Sequence, residues 1–150
     1  MLATAVASLV IGAHVYTAHA PGHDGPALQD FNPGLYARTE SGLTFGAVRN
    51  SLGRPSLYLA QTWETQDKRF ALTVGAISGY QYRRIEGQRV CRAGYVHAEA
   101  NPCYYMHGKT NAVLRPLIAP SIALPAIGGV TPRVSLLGKG VHFSIEAKLQ

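Results

Sequence analysis

Charge is scarce in this sequence. Asp, Glu, Lys and Arg together make up 15% of it, against roughly 25% in an ordinary soluble domain, which excludes an acid-rich disordered tail. No heptad recurs, so a coiled coil is excluded as well. The carboxylates are few and scattered, at Asp24, Asp30, Glu40, Glu64, Asp67, Glu86, Glu99 and Glu146, and no close pair supports a two-carboxylate hydrolase. There is no Gly-x-Ser-x-Gly elbow, no glycine-rich phosphate loop ending in Lys-Ser/Thr and no His-Glu-x-x-His, so the common enzyme signatures are missing. The only cysteines are Cys91 and Cys103. His97 and His107 lie close to them, but the spacing is not that of a zinc site, and neither a metal nor another cofactor is expected. The cysteines themselves are either a disulfide pinning a long hairpin or two free thiols.

What the chain has is apolar residues, glycine and proline. Its 150 residues are 47% apolar, with 16 Gly and 9 Pro. That length suits one domain, and the Gly and Pro content argues against a helical bundle. Short apolar runs are punctuated by turn residues, the signature of an all-β fold. The runs are Leu9–His19, Gly34–Thr39, Leu43–Asn50, Ser56–Glu64, Phe70–Gln81, Val113–Leu124, Val130–Leu137 and Val141–Leu149. Eight antiparallel strands joined by short links close most simply into an up-and-down β-barrel, which removes exposed edges; a two-sheet sandwich is the alternative. Pro116, Pro120 and Pro132 fall inside strands and lack a ladder donor, so the barrel is expected to be partly open there.

Alternation sharpens the expectation. Val141, Phe143, Ile145, Ala147 and Leu149 share one face of the last strand and His142, Ser144, Glu146 and Lys148 the other, which reads as a half-solvated strand. In the Phe70 strand, Ala71, Thr73, Gly75 and Ile77 form a mostly small face, suited to a crowded barrel interior. The apolar stretch Leu2 to Val15 and the small-x-small Ala18-His19-Ala20 resemble a leader and its cleavage site. No Lys or Arg precedes the stretch, so it reads instead as leading into the first strand.

Lys and Arg number 14 against 8 Asp and Glu, a net charge of +6, which favours anionic partners. A long insertion at about 82–112 carries Arg83, Arg84, Arg89 and Arg92, with Lys109 following. These are a solvated loop or an anion-binding patch, since the guanidinium fork matches phosphate. The partner is then an anionic surface, a protein or lipid. Self-association into a homo-oligomer or a virion is a further expectation.

One constellation could do nucleophilic chemistry. Ser51 follows Asn50 at the end of a strand, a rim position on a barrel. His14 and His19 lie on the first strand with an odd separation, so only one of them is expected to face the interior. Such a His could act as base for Ser51 in acyl transfer, with Asn50 orienting it. The plainer account of Asn50-Ser51 is turn chemistry.

Asn32-Pro33-Gly34-Leu35-Tyr36, Gly46-Ala47-Val48-Arg49-Asn50-Ser51, Tyr58-Leu59-Ala60 with Trp63, Leu114–Leu124 with its prolines, and Val141-His142-Phe143-Ser144 together resemble the lipid A palmitoyltransferase family of outer membranes. Small barrel-like proteins of tailed bacteriophages look similar too. The resemblance covers most of the chain outside the Arg/Cys segment. It implies an eight-stranded barrel holding an acyl chain, with gaps beside strand prolines. It also implies a catalytic His at His14 or His19 and a Ser at Ser51, with Asn50 where the family has Asp. Lacking that carboxylate, the chain is expected to be a noncatalytic structural or interaction protein, phage-encoded, in a virion or the host cytoplasm. The alternatives are a lipid acyltransferase or acyl-binding barrel in an outer membrane, and anion or nucleic-acid binding through the basic loop.

Overall fold

The structure, a computed structural model, describes residues 8–20, 28–80, 89–91, 103–105, 114–138 and 140–149. Among these described residues, ten strands follow in chain order: β1 (Leu9–His19), β2 (Phe31–Thr39), β3 (Leu43–Arg49), β4 (Pro55–Glu64), β5 (Phe70–Ile77), β6 (Arg89–Cys91), β7 (Cys103–Tyr105), β8 (Arg115–Ala123), β9 (Val130–Leu137) and β10 (Gly140–Leu149). Eight of them close into an antiparallel barrel in the order β1-β10-β9-β8-β5-β4-β3-β2, and β6 pairs with β7 in a separate two-stranded sheet. The expected up-and-down barrel is therefore present, and its first and last strands pair from Leu9↔Leu149 to His19↔Gly140.

The insertion carries the β6–β7 pair, whose register sets Cys91 opposite Cys103. Arg89 opens β6, whereas Arg83, Arg84, Arg92 and Lys109 lie outside the described residues.

Two boundaries differ from expectation by more than two residues. β2 starts at Phe31 rather than Gly34, because Asp30 already bonds β1 through Thr17 N–H to the Asp30 carbonyl (2.8 Å). β5 stops at Ile77 rather than Gln81. Gly79, at φ 87°, turns the chain away from the ladder in a conformation few L-residues adopt.

The seam between β8 and β9 is short. It consists of Ser121↔Ser135, Ile122↔Val134 and Ala123↔Arg133, so Arg115–Pro120 has no partner on β9. Pro116 and Pro120 still pair along β5, opposite Ala76 and Leu72. The ring is closed, but this one junction is zipped only at one end.

The faces of the barrel are reversed relative to a solvated strand. On β10, His142, Ser144 and Glu146 are buried to 5% exposure or less, while Phe143, Ile145 and Leu149 are 40–52% exposed. The half-solvated reading of this strand is corrected: its polar face lines the lumen and its apolar face is outside. Leu35, Phe45, Leu57, Leu59 and Ile118 continue the apolar exterior around the wall.

Polar side chains fill a lumen by satisfying one another, and most of these do; among the described residues only Asn32 Oδ1 and Arg133 Nε are buried without a hydrogen-bond partner. Arg38 donates to both oxygens of Glu146 (2.9 and 3.1 Å), and the Tyr36 hydroxyl donates to Glu146 Oε1 (2.7 Å). Arg133 reaches Glu64 at 2.8 Å, and Arg38 reaches the same carboxylate at 3.0 Å. The Thr44, Thr62 and Thr73 hydroxyls form a chain at 2.8 and 2.9 Å. The bulky Tyr36 and Tyr58 rings fit because each lies across a facing glycine. A Cβ at Gly12 would come within 2.0 Å of Tyr36, and one at Gly46 within 2.7 Å of Tyr58.

The parity argument for the two histidines also needs correction. The register of β1 shifts between His14 and Tyr16 against both of its neighbours. A bulge inserts one extra residue and resets which face follows. His14 therefore points into the lumen before the shift, and Thr17 and His19 do so after it.

Candidate active site

Antiparallel neighbours bring the end of β1, the start of β2 and the β3–β4 turn to the same rim. Ser51 opens that turn, His19 is the last residue of β1, and Asp30 immediately precedes β2. Their side chains form a continuous hydrogen-bonded line: Asp30 Oδ1 to His19 Nδ1 at 2.9 Å, and His19 Nε2 to Ser51 Oγ at 2.8 Å. The backbone fixes the approach, since Gln29 N–H donates to the Ser51 carbonyl at 2.6 Å.

Chemistry sets the tautomer. A carboxylate only accepts, so His19 carries its proton on Nδ1, and the Nε2 lone pair accepts from the Ser51 hydroxyl. That is the arrangement in which a serine oxygen becomes nucleophilic as its proton leaves. Ser51 is 8% exposed, and the His19 side chain 13%, whereas the Asp30 carboxylate is 51% exposed. The nucleophile and base are sheltered while the orienting acid meets solvent.

Asn50 has another task than the one expected of it. Its Oδ1 accepts from Leu52 N–H (2.9 Å) and Arg54 N–H (3.1 Å), and its Nδ2 donates to Ser56 Oγ (2.8 Å) and the Gly79 carbonyl (3.0 Å). It does not touch His19. Asn50 is 1% exposed and holds the Ser51 turn against the end of β5. Asp could not donate the two Nδ2 bonds, so Asn50→Asp is expected to cost about 3 kcal/mol or more. A lower midpoint of denaturant unfolding in detergent checks this; an unchanged midpoint contradicts it.

Tyr80 stands beside the nucleophile. Burial pushes its phenol above the ordinary value, an effect that hydrogen bonding with Ser51 partly offsets. It stays protonated and is available as a donor next to Ser51.

Ser51 borders a cavity of about 380 Å3 that runs into the lumen. Near Ser51 its lining combines the apolar Val48 and Ile77 with Tyr80, Asn32, Arg49 and Arg115; further along the strands it is hydroxylated and charged.

Among the residues singled out from sequence, the structure brings Ser51 and His19 together. His14 sits lower, bonded to His142 and Tyr58, and is not a partner of Ser51. Asp30 and Tyr80 were missed. Asp30 lies between the expected strands Leu9–His19 and Gly34–Thr39, and its one signal is its position just ahead of the strand that neighbours His19.

No family model and no curated protein matches the chain. The eight-stranded antiparallel barrel is the part of the acyltransferase resemblance that stands on structure.

Proposed function

We propose that the chain is a membrane-embedded barrel that transfers acyl groups through Ser51. The observation that carries this reading is the Asp30–His19–Ser51 line at the mouth of that cavity. Ser51 Oγ attacks the carbonyl carbon of an ester while its proton passes to His19 Nε2. The C–O bond to the leaving alcohol breaks, and the alcohol departs with that proton. A hydroxyl acceptor, or water, then gives its proton to His19, attacks the acyl–serine ester and releases Ser51. Asp30 keeps His19 in the productive tautomer and stabilises the imidazolium between the steps. The noncatalytic expectation rested in part on Asn50 standing in place of a carboxylate, and Asp30, bonded to His19, offers that charge from another position.

The apolar exterior supports the membrane placement, because an outward apolar band around a polar lumen is what lipid selects. Arg49, Arg54 and Arg115 cluster by topology at the Ser51 end, which suits anionic headgroups. Leu59 lies mid-wall on β4 and is 59% exposed. Leu59→Arg is expected to weaken insertion into vesicles by about 2–4 kcal/mol, read as the lipid-bound fraction across a urea series. Equal insertion would place that wall outside lipid.

The function itself is tested by incubating the purified full chain in detergent micelles with a phospholipid donor and a lipid A acceptor, the pair that the resemblance implies. A parallel arm uses a p-nitrophenyl ester. Serine-dependent loss of donor is the expected result, and no turnover of either donor overturns the proposal.

A further inference from the structure

Attack on an ester puts negative charge on the carbonyl oxygen, and acyl transfer is fast only where a donor is already aimed at that oxygen. In the Ser51 turn the backbone donors around the serine are taken. Asn50 N–H donates to the Arg54 carbonyl and Gly53 N–H to the Asn50 carbonyl, both at 2.8 Å. Leu52 N–H and Arg54 N–H donate to Asn50 Oδ1. The nearby side-chain amides are committed as well. Asn50 Nδ2 donates to Ser56 Oγ and the Gly79 carbonyl, and Asn32 Nδ2 to the Gln29 and Arg49 carbonyls. Arg49 and Arg115 line the cavity but are exposed, so water solvates their charge. Arg49 Nε is moreover held on the Gly53 carbonyl at 3.2 Å.

Tyr80 is placed differently. The Gly79 carbonyl accepts from Asn50 Nδ2 at 3.0 Å, and Asn50 precedes Ser51 as Gly79 precedes Tyr80. One hydrogen bond thus sets Ser51 and Tyr80 side by side. Gly79 comes this close because it has no Cβ; one added there would strike Ser56 Oγ and the Pro55 carbonyl. The Tyr80 ring packs against the buried cluster of Tyr36, Tyr58 and Ile77, and Tyr80 and Ser51 both line the cavity. The phenol hydrogen-bonds with Ser51 in the resting state and keeps its proton.

We propose that Tyr80 is the oxyanion donor of this site. The inference rests on the acyl-transfer reading of Ser51 and adds the group that stabilises its tetrahedral intermediate. As the Ser51 Oγ–carbon bond forms, the carbonyl π pair moves onto oxygen, and the Tyr80 hydroxyl donates a hydrogen bond to it without giving up its proton. When the pair returns, the bond to the leaving alcohol breaks and the alcohol departs with the proton held by His19. His19 and Tyr80 therefore divide the work: one moves the proton, the other holds the charge.

Tyr80→Phe keeps the ring and removes one oxygen. With the full chain in detergent micelles and p-nitrophenyl butyrate, serine-dependent turnover is read as wild type minus Ser51→Ala. The expected loss in Tyr80→Phe is roughly a hundred- to a thousandfold in kcat, with KM within about twofold. A butyl trifluoromethyl ketone, which adds to Ser51 and places an oxyanion there, should inhibit Tyr80→Phe at least about tenfold more weakly. The matching alcohol forms no oxyanion and should inhibit both proteins equally. A kcat within about threefold of wild type, or equal weakening of ketone and alcohol, overturns the role of Tyr80 and leaves the acyl-transfer reading standing. Turnover that is the same in wild type and Ser51→Ala overturns both. A measurement on wild type alone stands if Tyr80→Phe does not fold: carbon-13 NMR of the labelled ketone should show its Ser51 adduct ionised at pH 7, and a neutral adduct overturns the inference.

Discussion

Replacing Ser51 with alanine is expected to lower acyl transfer by roughly a thousandfold or more while leaving the barrel folded. Ser51 Oγ is the hydroxyl in the line that can form the acyl ester, and its proton is held by His19. The turn that carries it is held by Asn50, not by the Ser51 hydroxyl. His19→Ala should cost a similar factor, since the base and nucleophile act as one unit. Asp30→Asn should cost less, about ten- to a hundredfold. Its carboxylate is half exposed, and water can take over part of its task of orienting His19. Rates of serine-dependent ester cleavage, measured on variants shown to be folded, check this order. An Asp30→Asn loss as large as that of Ser51→Ala would contradict the solvated role given to Asp30.

The second large effect concerns the ion cluster at the other end of the lumen. Glu146 is 5% exposed and receives bonds from Arg38 and Tyr36, with Arg133 Nε at 3.1 Å. Glu146→Ala leaves two buried guanidinium groups facing Glu64 alone. Breaking a buried ionic cluster from one side typically costs about 3–5 kcal/mol, because the remaining charge is neither paired nor hydrated. The midpoint of guanidinium unfolding in detergent should fall accordingly. Glu146→Leu combined with Arg38→Met removes one charge of each sign and should recover much of the loss. An unchanged midpoint in Glu146→Ala would mean that the cluster contributes nothing to holding the barrel together.

Much of the barrel was legible in the sequence. Gly138-Lys139-Gly140, Glu40-Ser41-Gly42 and Pro125–Gly129 mark turns between runs of strand length, and the barrel strands begin and end close to those marks. The prolines of β8 pointed to the weak seam because a missing N–H is a property of the residue itself. The alternation in β10 separated two faces correctly but not which face is inside. A period of two is unchanged when the strand is turned over, and only the partners decide it. Glu146 and Arg38 are 108 positions apart, and nothing local announces that they meet.

The site was half legible for the same reason. Ser51 and His19 stand out as residue types at strand ends. The bulge that turns His19 inward lies between His14 and Tyr16, and the one glycine of that strand, Gly12, stands two residues before it, opposite Tyr36, so neither glycine nor proline marks the shift itself. Asp30 joins the line only because β1 and β2 pair beyond the stretch that separates them. Asn50 looked like a substitute for a catalytic carboxylate. Its four hydrogen bonds are with the turn and with β4 and the end of β5 instead.

The most direct measurement is covalent labelling of the full chain in detergent micelles with a short alkyl fluorophosphonate, followed by peptide mass mapping. An activated serine attacks phosphorus and expels fluoride, so the account predicts one adduct, on Ser51, that is lost in His19→Ala. No adduct on Ser51, or labelling of Ser51 that persists without His19, would contradict it.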